Sequence, residues 1–234
     1  YKCENIYYID LKSAIHVGNK AFAYCTNLSD ITIGKNLIVI EDYAFEHCKS
    51  LYAIELPETV TQIGKRAFYG CSYLTNLKID NAQTNIGSFA FANCYMLTRA
   101  DLGENITEIG TAAFFNCQNL TKIALKHPLD KIEEKCFANC ENLTSVSLPQ
   151  GIEIIEDKAF SGCKSLKSIS IPNTTTHIGE HAFYDCNTLT SIEIPNKVKK
   201  IEPHAFGKCN NLTKVIFNAE NCTTHKPIFD YTTK

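Results

Sequence analysis

Twelve cysteines, seven histidines and seven Asn-x-Ser/Thr triplets are the residues of this 234-residue chain that could do chemistry. A thiol can be a nucleophile, a metal ligand or half of a disulfide, and spacing discriminates among the three. Cys25, Cys48, Cys71, Cys94, Cys117, Cys140, Cys163, Cys186 and Cys209 stand 23 residues apart without exception. They therefore occupy one structural position in successive units, and equivalent side chains of stacked units point the same way. A disulfide needs Cβ atoms about 3.8 Å apart and turned toward each other. The spacing predicts reduced, buried thiols that pack as small hydrophobes. Cys136 stands where the other full units have Ala. A nucleophile there would want a nearby base and an electropositive, partly open pocket. No His recurs beside that position, and an isosteric core substitution is the reading adopted.

His181 and His204 are 23 apart and should stack on adjacent units, with His177 one helical turn before His181. No cysteine or carboxylate accompanies them at a standard zinc spacing. A surface histidine cluster with no metal and no cofactor is expected. The triplets at Asn27, Asn105, Asn119, Asn142, Asn173, Asn211 and Asn221 arise in part from the repeated frame itself. They carry glycans only in a secreted eukaryotic protein. No paired acids, triad or phosphate loop appears, so no catalytic residue is assigned and the chain is read as not an enzyme.

The elements that position these residues are the units themselves. Phe22, Phe45, Phe68, Phe91, Phe114, Phe137, Phe160, Phe183 and Phe206 form a second column at the same period, and Leu28 through Leu212 a third. Such recurrence marks a repeat architecture in which each unit packs on its neighbours. Within a unit, Leu166-x-x-Ile169-x-Ile171 ends in the alternation of a half-buried strand, and Pro172 stops it. A polar turn and an apolar pair such as Val60 and Ile63 follow. In Gly64 to Cys71, one or two turns of helix would bury Ala67, Phe68 and Cys71 on one side. Asp42, Ser88, Thr111 and Asp157 offer capping side chains there, and Pro203 suits a first helical turn. The first unit fits if one residue is missing before Val17-Gly18, which makes Cys3 the tenth member of the cysteine column. Phe229 keeps the register into an eleventh copy, and residues 1–234 read as a single domain of about ten coils, a fragment of a longer protein.

A net charge of −2 with 21% charged residues removes most of the case for nucleic acid or acidic membrane surfaces as partners. No apolar run approaches the roughly 18 residues that span a bilayer, so direct membrane insertion is not expected.

The frame Cys-x-x-Leu-x-x-Ile-x-Ile-Pro-x-x-Val-x-x-Ile-Gly-x-x-Ala-Phe resembles the leucine-rich repeats of the BspA-like surface proteins over the whole chain. It departs from the commonest leucine-rich consensus by lacking a fixed Asn beyond the strand, where Asn36 and Asn105 alternate with Thr59 and Lys197. The resemblance implies an α/β fold, a right-handed leucine-rich repeat solenoid with a parallel sheet on the concave face and short helical segments on the convex side. It also implies a secreted or cell-surface adhesin that binds a protein or glycan, host extracellular matrix among them. An intracellular leucine-rich repeat scaffold is the alternative, favoured by twelve unpaired thiols. Outward positions of the strands are where a partner would bind. Tyr8, Asp10, Asp30, Tyr52, Glu55, Lys78, Arg99, Asp101 and Lys122 are the candidates, because aromatic and Arg anchors concentrate in the N-terminal half and serines in the rest.

Overall fold

The computed structural model describes residues 3–80, 83–224 and 227–229. The coils stack as the period demands, and we number them by their cysteine, from Cys3 in coil 1 to Cys209 in coil 10. One strand per coil builds the first sheet: Tyr8–Leu11, Asp30–Ile33, Ala53–Leu56, Asn76–Ile79, Arg99–Asp101, Lys122–Ala124, Ser145–Ser147, Ser191–Ile194 and Lys214–Phe217. All its pairings are parallel, and from coil 3 onward each residue faces its counterpart 23 later, as Ala53 faces Asn76. The ladder breaks between coils 2 and 3 and again at coil 8, which lacks a strand here, leaving runs of two, five and two strands.

The missing residue of the first unit is visible in the registers. Tyr8 pairs with Asp30, 22 residues on, whereas His16 pairs with Val39, 23 residues on. The deletion therefore lies between Leu11 and His16.

The coils also carry a second parallel sheet. The apolar pair of each unit contains a strand of two to four residues, from His16–Val17 and Val39–Ile40 to Lys200–Ile201 and Thr223–Thr224. These strands form two five-stranded runs, coils 1 to 5 and 6 to 10. A bulge between Ile106 and Glu108 shifts the register by one residue beside the break.

The expected helical segments are absent: no helix occurs among the described residues. Between Gly64 and Cys71, alternate amides close local turns, Ala67 N–H to Gly64 O, Tyr69 to Arg66 and Cys71 to Phe68 at 3.1–3.2 Å. The amides between them cross to the next coil, Arg66 to Ser88 O, Phe68 to Ala90 O and Gly70 to Ala92 O at 2.8–2.9 Å. A helix would use every amide inside the segment; here half of them join the coils. The backbone reaches this pattern through positive φ two residues before and two after each Phe, 54° at Arg66 and 71° at Gly70. The residues expected to cap a helix serve the ladder instead. Asp42 Oδ1 accepts the amide of Lys65 and Asp157 Oδ1 that of Glu180, each at 2.7 Å and one coil on.

The core runs the length of the array. Phe45 to Phe206 are buried, and the rings from Phe22 to Phe229 stack with centroids 5.2–5.8 Å apart. Offset-stacked rings add about 0.5–1.5 kcal/mol per pair beyond area burial. The cysteines bury beside them and do more than fill space. From Cys48 to Cys209 each thiol of the 23-residue column donates to the carbonyl of the Phe in the preceding coil, at 3.1–3.3 Å. That carbonyl already accepts the amide of its own coil's cysteine, as Phe68 O accepts from Cys71 N and Cys94 Sγ. Both lone pairs of a buried acceptor are thereby satisfied.

Candidate binding face

The outward residues of the first sheet form two columns across the coils. One column contains Asn76, Arg99, Lys122 and Ser145 as successive register partners. The other contains Glu55, Lys78 and Asp101, while Asp10 pairs with Thr32. Strand alternation points these residues away from the core that Ile54, Leu77 and Ile123 fill. Tyr8, Asp10, Asp30, Glu55, Lys78, Arg99 and Lys122 are exposed, and Asp101 is half-buried. Tyr8 Oη and Thr32 Oγ1 are 3.0 Å apart, which lays the ring across coil 2. Tyr52, 60% exposed, sits just before its strand rather than on it.

The edge leading into the strands is built by a column of hydroxyls. Thr75, Thr98, Thr121, Thr144 and Thr213 each donate their Oγ1 to the carbonyl one coil back, at 3.0–3.3 Å. The asparagine ladder that the variable turn positions argue against is thus replaced, at another place in the coil, by threonine. Tyr73, Tyr95 and Met96 lie exposed beside this edge and extend the aromatic surface of Tyr7 and Tyr52 over coils 4 and 5. A reading confined to strand positions passes over these three residues; large apolar side chains in otherwise polar columns are the signal that could have found them.

Charge is unevenly committed on the face. Lys12 pairs with Asp10 at 3.4 Å and Lys78 with Asp80 at 2.9 Å, and the Asp80, Glu55 and Asp101 carboxylates hold the Lys78 ammonium pKa above its usual value. Arg99 and Lys122, neighbours in the ladder, have no ion-pair partner among the described residues. A shallow depression of about 630 Å³ opens around them, bounded by Thr98, Thr121, Lys126, Ser145 and Ser147.

The groups that could have done chemistry are otherwise placed. All twelve cysteines are free; ten are buried, Cys3 is exposed and Cys222 half-buried. Burial raises the thiol pKa of Cys71, Cys117, Cys136, Cys163 and Cys186 well above the ordinary range, and that of Cys140 to about 12. Cys136 is a core residue, 1% exposed. His181 and His204 stack at 5.2 Å between ring centroids, as their spacing predicts. They are half-buried in the turn ladder, and His177 lies on the strand His177–Ile178, not one helical turn away. No group of three or more metal-binding side chains occurs among the described residues. Among the triplet asparagines, Asn27, Asn142, Asn173, Asn211 and Asn221 are exposed, while Asn142 Nδ2 also bonds Asn119 Oδ1 at 3.0 Å.

Among solved structures the chain is similar to a leucine-rich repeat protein from Bacteroides ovatus, at 23% identity over 95% of this chain and 75% of that one, with a TM-score of 0.50. The T. pallidum leucine-rich repeat protein is 26% identical over 80% of this chain and 77% of that one, with a TM-score of 0.54. A leucine-rich repeat protein from Eubacterium ventriosum is 19% identical over 91% and 79%, with a TM-score of 0.50. No curated protein matches the chain. The family model described as the BspA type leucine rich repeat region matches in six copies over residues 15–144 and 130–234. With those matches, its strict columns and its stacked parallel strands, the chain belongs to the BspA-type leucine-rich repeat family.

Proposed function

We propose that the chain is a non-catalytic recognition module of a cell-surface or secreted protein, binding a protein or glycan through the outward columns of its first sheet. The observation that carries this reading is the division of labour within each strand. Inward positions repeat one apolar frame and are buried, whereas outward positions change chemistry from coil to coil and stay exposed. A surface so varied on so regular a support suits specificity, with Tyr8, Tyr52 and Arg99 as anchor-type side chains. Host extracellular matrix is the partner class to try first.

The alternative, an intracellular scaffold, draws on twelve unpaired thiols. Ten are enclosed in the core and eight of these donate to a Phe carbonyl of the preceding coil, so the absence of disulfides has a structural cause that does not depend on a reducing compartment. Antibody labelling of intact cells separates the two readings. For recognition itself, the chain is immobilised and challenged with mucosal matrix proteins and glycans. Alanine at Tyr8, Tyr52 and Arg99 should weaken retention, whereas binding unchanged by these and lost on substitution of Tyr69 or Tyr184 would move the site to the turn ladder.

A further inference from the structure

The cationic pair of coils 5 and 6 is unfavourable for the free protein. Like charges on register partners repel and destabilise a sheet, and Arg99 and Lys122 are such partners. No acid forms an ion pair with either cation among the described residues: Asp80 is taken by Lys78 at 2.9 Å, Glu104 faces Lys126 at 3.9 Å, and Asp101, which also lines the depression, keeps its charge while its Oδ1 accepts the Gly103 amide at 3.4 Å. The two cations border the depression of about 630 Å³, in which an anion could reach both. An arginine fork matches a carboxylate or sulfate with two parallel hydrogen bonds.

Beyond the pair, the face turns to hydroxyls. Ser145 and Ser147 flank the cations, and Ser168, Ser170 and Ser191 line a second depression of about 480 Å³ with Asn173, Glu193 and Lys214. None of these five serine hydroxyls has a hydrogen-bond partner among the described residues. Coils 5 to 10 span about 24 Å at the spacing of neighbouring strands. The face thus carries an acid-binding end that continues into a strip of uncommitted donors and acceptors, with no aromatic platform on the strip.

We propose that this stretch binds a linear acidic glycan, its carboxylate or sulfate groups held by Arg99 and Lys122 and its hydroxyls by Ser145, Ser147, Ser168, Ser170 and Ser191. This rests on the reading of the sheet face as the recognition surface and gives that face a ligand class. An acidic peptide would match the cations but would leave the serine strip without a counterpart.

The full chain is titrated by calorimetry with hyaluronan, which carries carboxylates, with heparin, which adds sulfates, and with dextran and poly-glutamate as controls. Binding of hyaluronan or heparin that weakens with salt and falls about tenfold in each of Arg99→Gln and Lys122→Gln is expected, since a hydrogen bond to a charged group is worth about that factor. Preference for one polymer identifies the acid group. The two variants should melt no lower than the parent, because each relieves a repulsion; a loss of binding together with a collapse in melting temperature would be a folding effect and would overturn the assignment. So would poly-glutamate binding as tight as either glycan, or binding of neither glycan. If in addition a matrix partner is retained and is lost on Tyr8→Ala, the recognition module stands and only its acidic-glycan ligand falls.

Discussion

Replacing Phe114 by Ala tests how the array is held together. Phe114 is fully buried and stacks on two rings, Phe91 at 5.4 Å and Phe137 at 5.7 Å. Losing a buried Phe costs about 3–5 kcal/mol, of which two stacks supply about 1–3 kcal/mol at 0.5–1.5 kcal/mol each. Phe22 offers the comparison within the same molecule: it is half-buried and, among the described residues, stacks only on Phe45, at 5.4 Å. Phe22→Ala forfeits one stack and part of the buried area, so it should cost about half as much. Because repeat arrays need not unfold in one step, native-state hydrogen exchange is a better assay than a single melting temperature. The amides of Phe91 and Phe114 donate to Ala113 O and Cys136 O across the coils, at 2.8 and 2.9 Å. In Phe114→Ala these should lose protection first, and the opening should spread to both neighbouring coils. In Phe22→Ala the loss should stay at the N-terminal end. Equal costs for the two variants, or unchanged exchange at Phe91, would refute the idea that stacked rings bind coil to coil.

Other consequences concern thiols, pH and the turn ladder. Alkylation of the native protein near pH 8 should modify Cys3 and then Cys222, while the denatured chain should react at all twelve positions; modification of Cys117 in the native state would contradict the enclosed column. Cys117→Ala removes one buried sulfur and the thiol bond to Phe91 O, and should cost about 1–2 kcal/mol in urea denaturation. His47 lies between the rings of Tyr24 and Tyr69, and burial lowers its pKa below the usual 6.5. The unfolded chain then takes up a proton first, so stability should fall as pH drops below about 6.5 and level off below the folded value. His47→Gln should flatten that part of the stability profile; an unaltered profile would remove His47 as the cause. Gly162, at φ +75°, should lose about 1–2 kcal/mol on change to Ala, since a Cβ is strained there and runs into the Asn139 amide oxygen. Asn139→Gly in the same chain removes that oxygen without straining its own positive φ and should recover part of that loss, as thermal melting of the two variants would show.

The stacking was legible because inward positions of identical coils meet identical surroundings, and only one side chain suits each. Phe, Cys and Leu therefore recur at 23, and even the one-residue deletion of the first unit could be located from the spacing. The turn segment misled for a specific reason. Ala67, Phe68 and Cys71 would share one face of a helix, but successive turns bury the same three residues. A signal lay two residues after the Phe, where Gly70, Asn93, Asn116, Asn139 and Gly162 mark a column of positive φ. The column two residues before the Phe carries no such mark, since Lys20, Tyr43, Arg66 and Phe89 adopt φ of 54–58° under the pull of the inter-coil bonds. Strands as short as His16–Val17 cannot display an alternation, and the second sheet stayed hidden in an apolar pair. On the face, alternation identified the outward residues but not their pairing. That Asp10 is spent on Lys12 while Arg99 and Lys122 stand uncompensated depends on geometry no spacing reveals.

In the proposed function, recognition belongs to the outward columns of the first sheet. Hydroxyl-radical footprinting of the chain, alone and bound to the matrix component it retains, tests this directly. Protection should fall on Tyr8, Tyr52, Arg99 and Lys122 while Tyr43, Tyr69 and Tyr184 of the turn ladder react as before. Protection of the turn ladder with an unchanged sheet face would place recognition on the turns and not on the sheet.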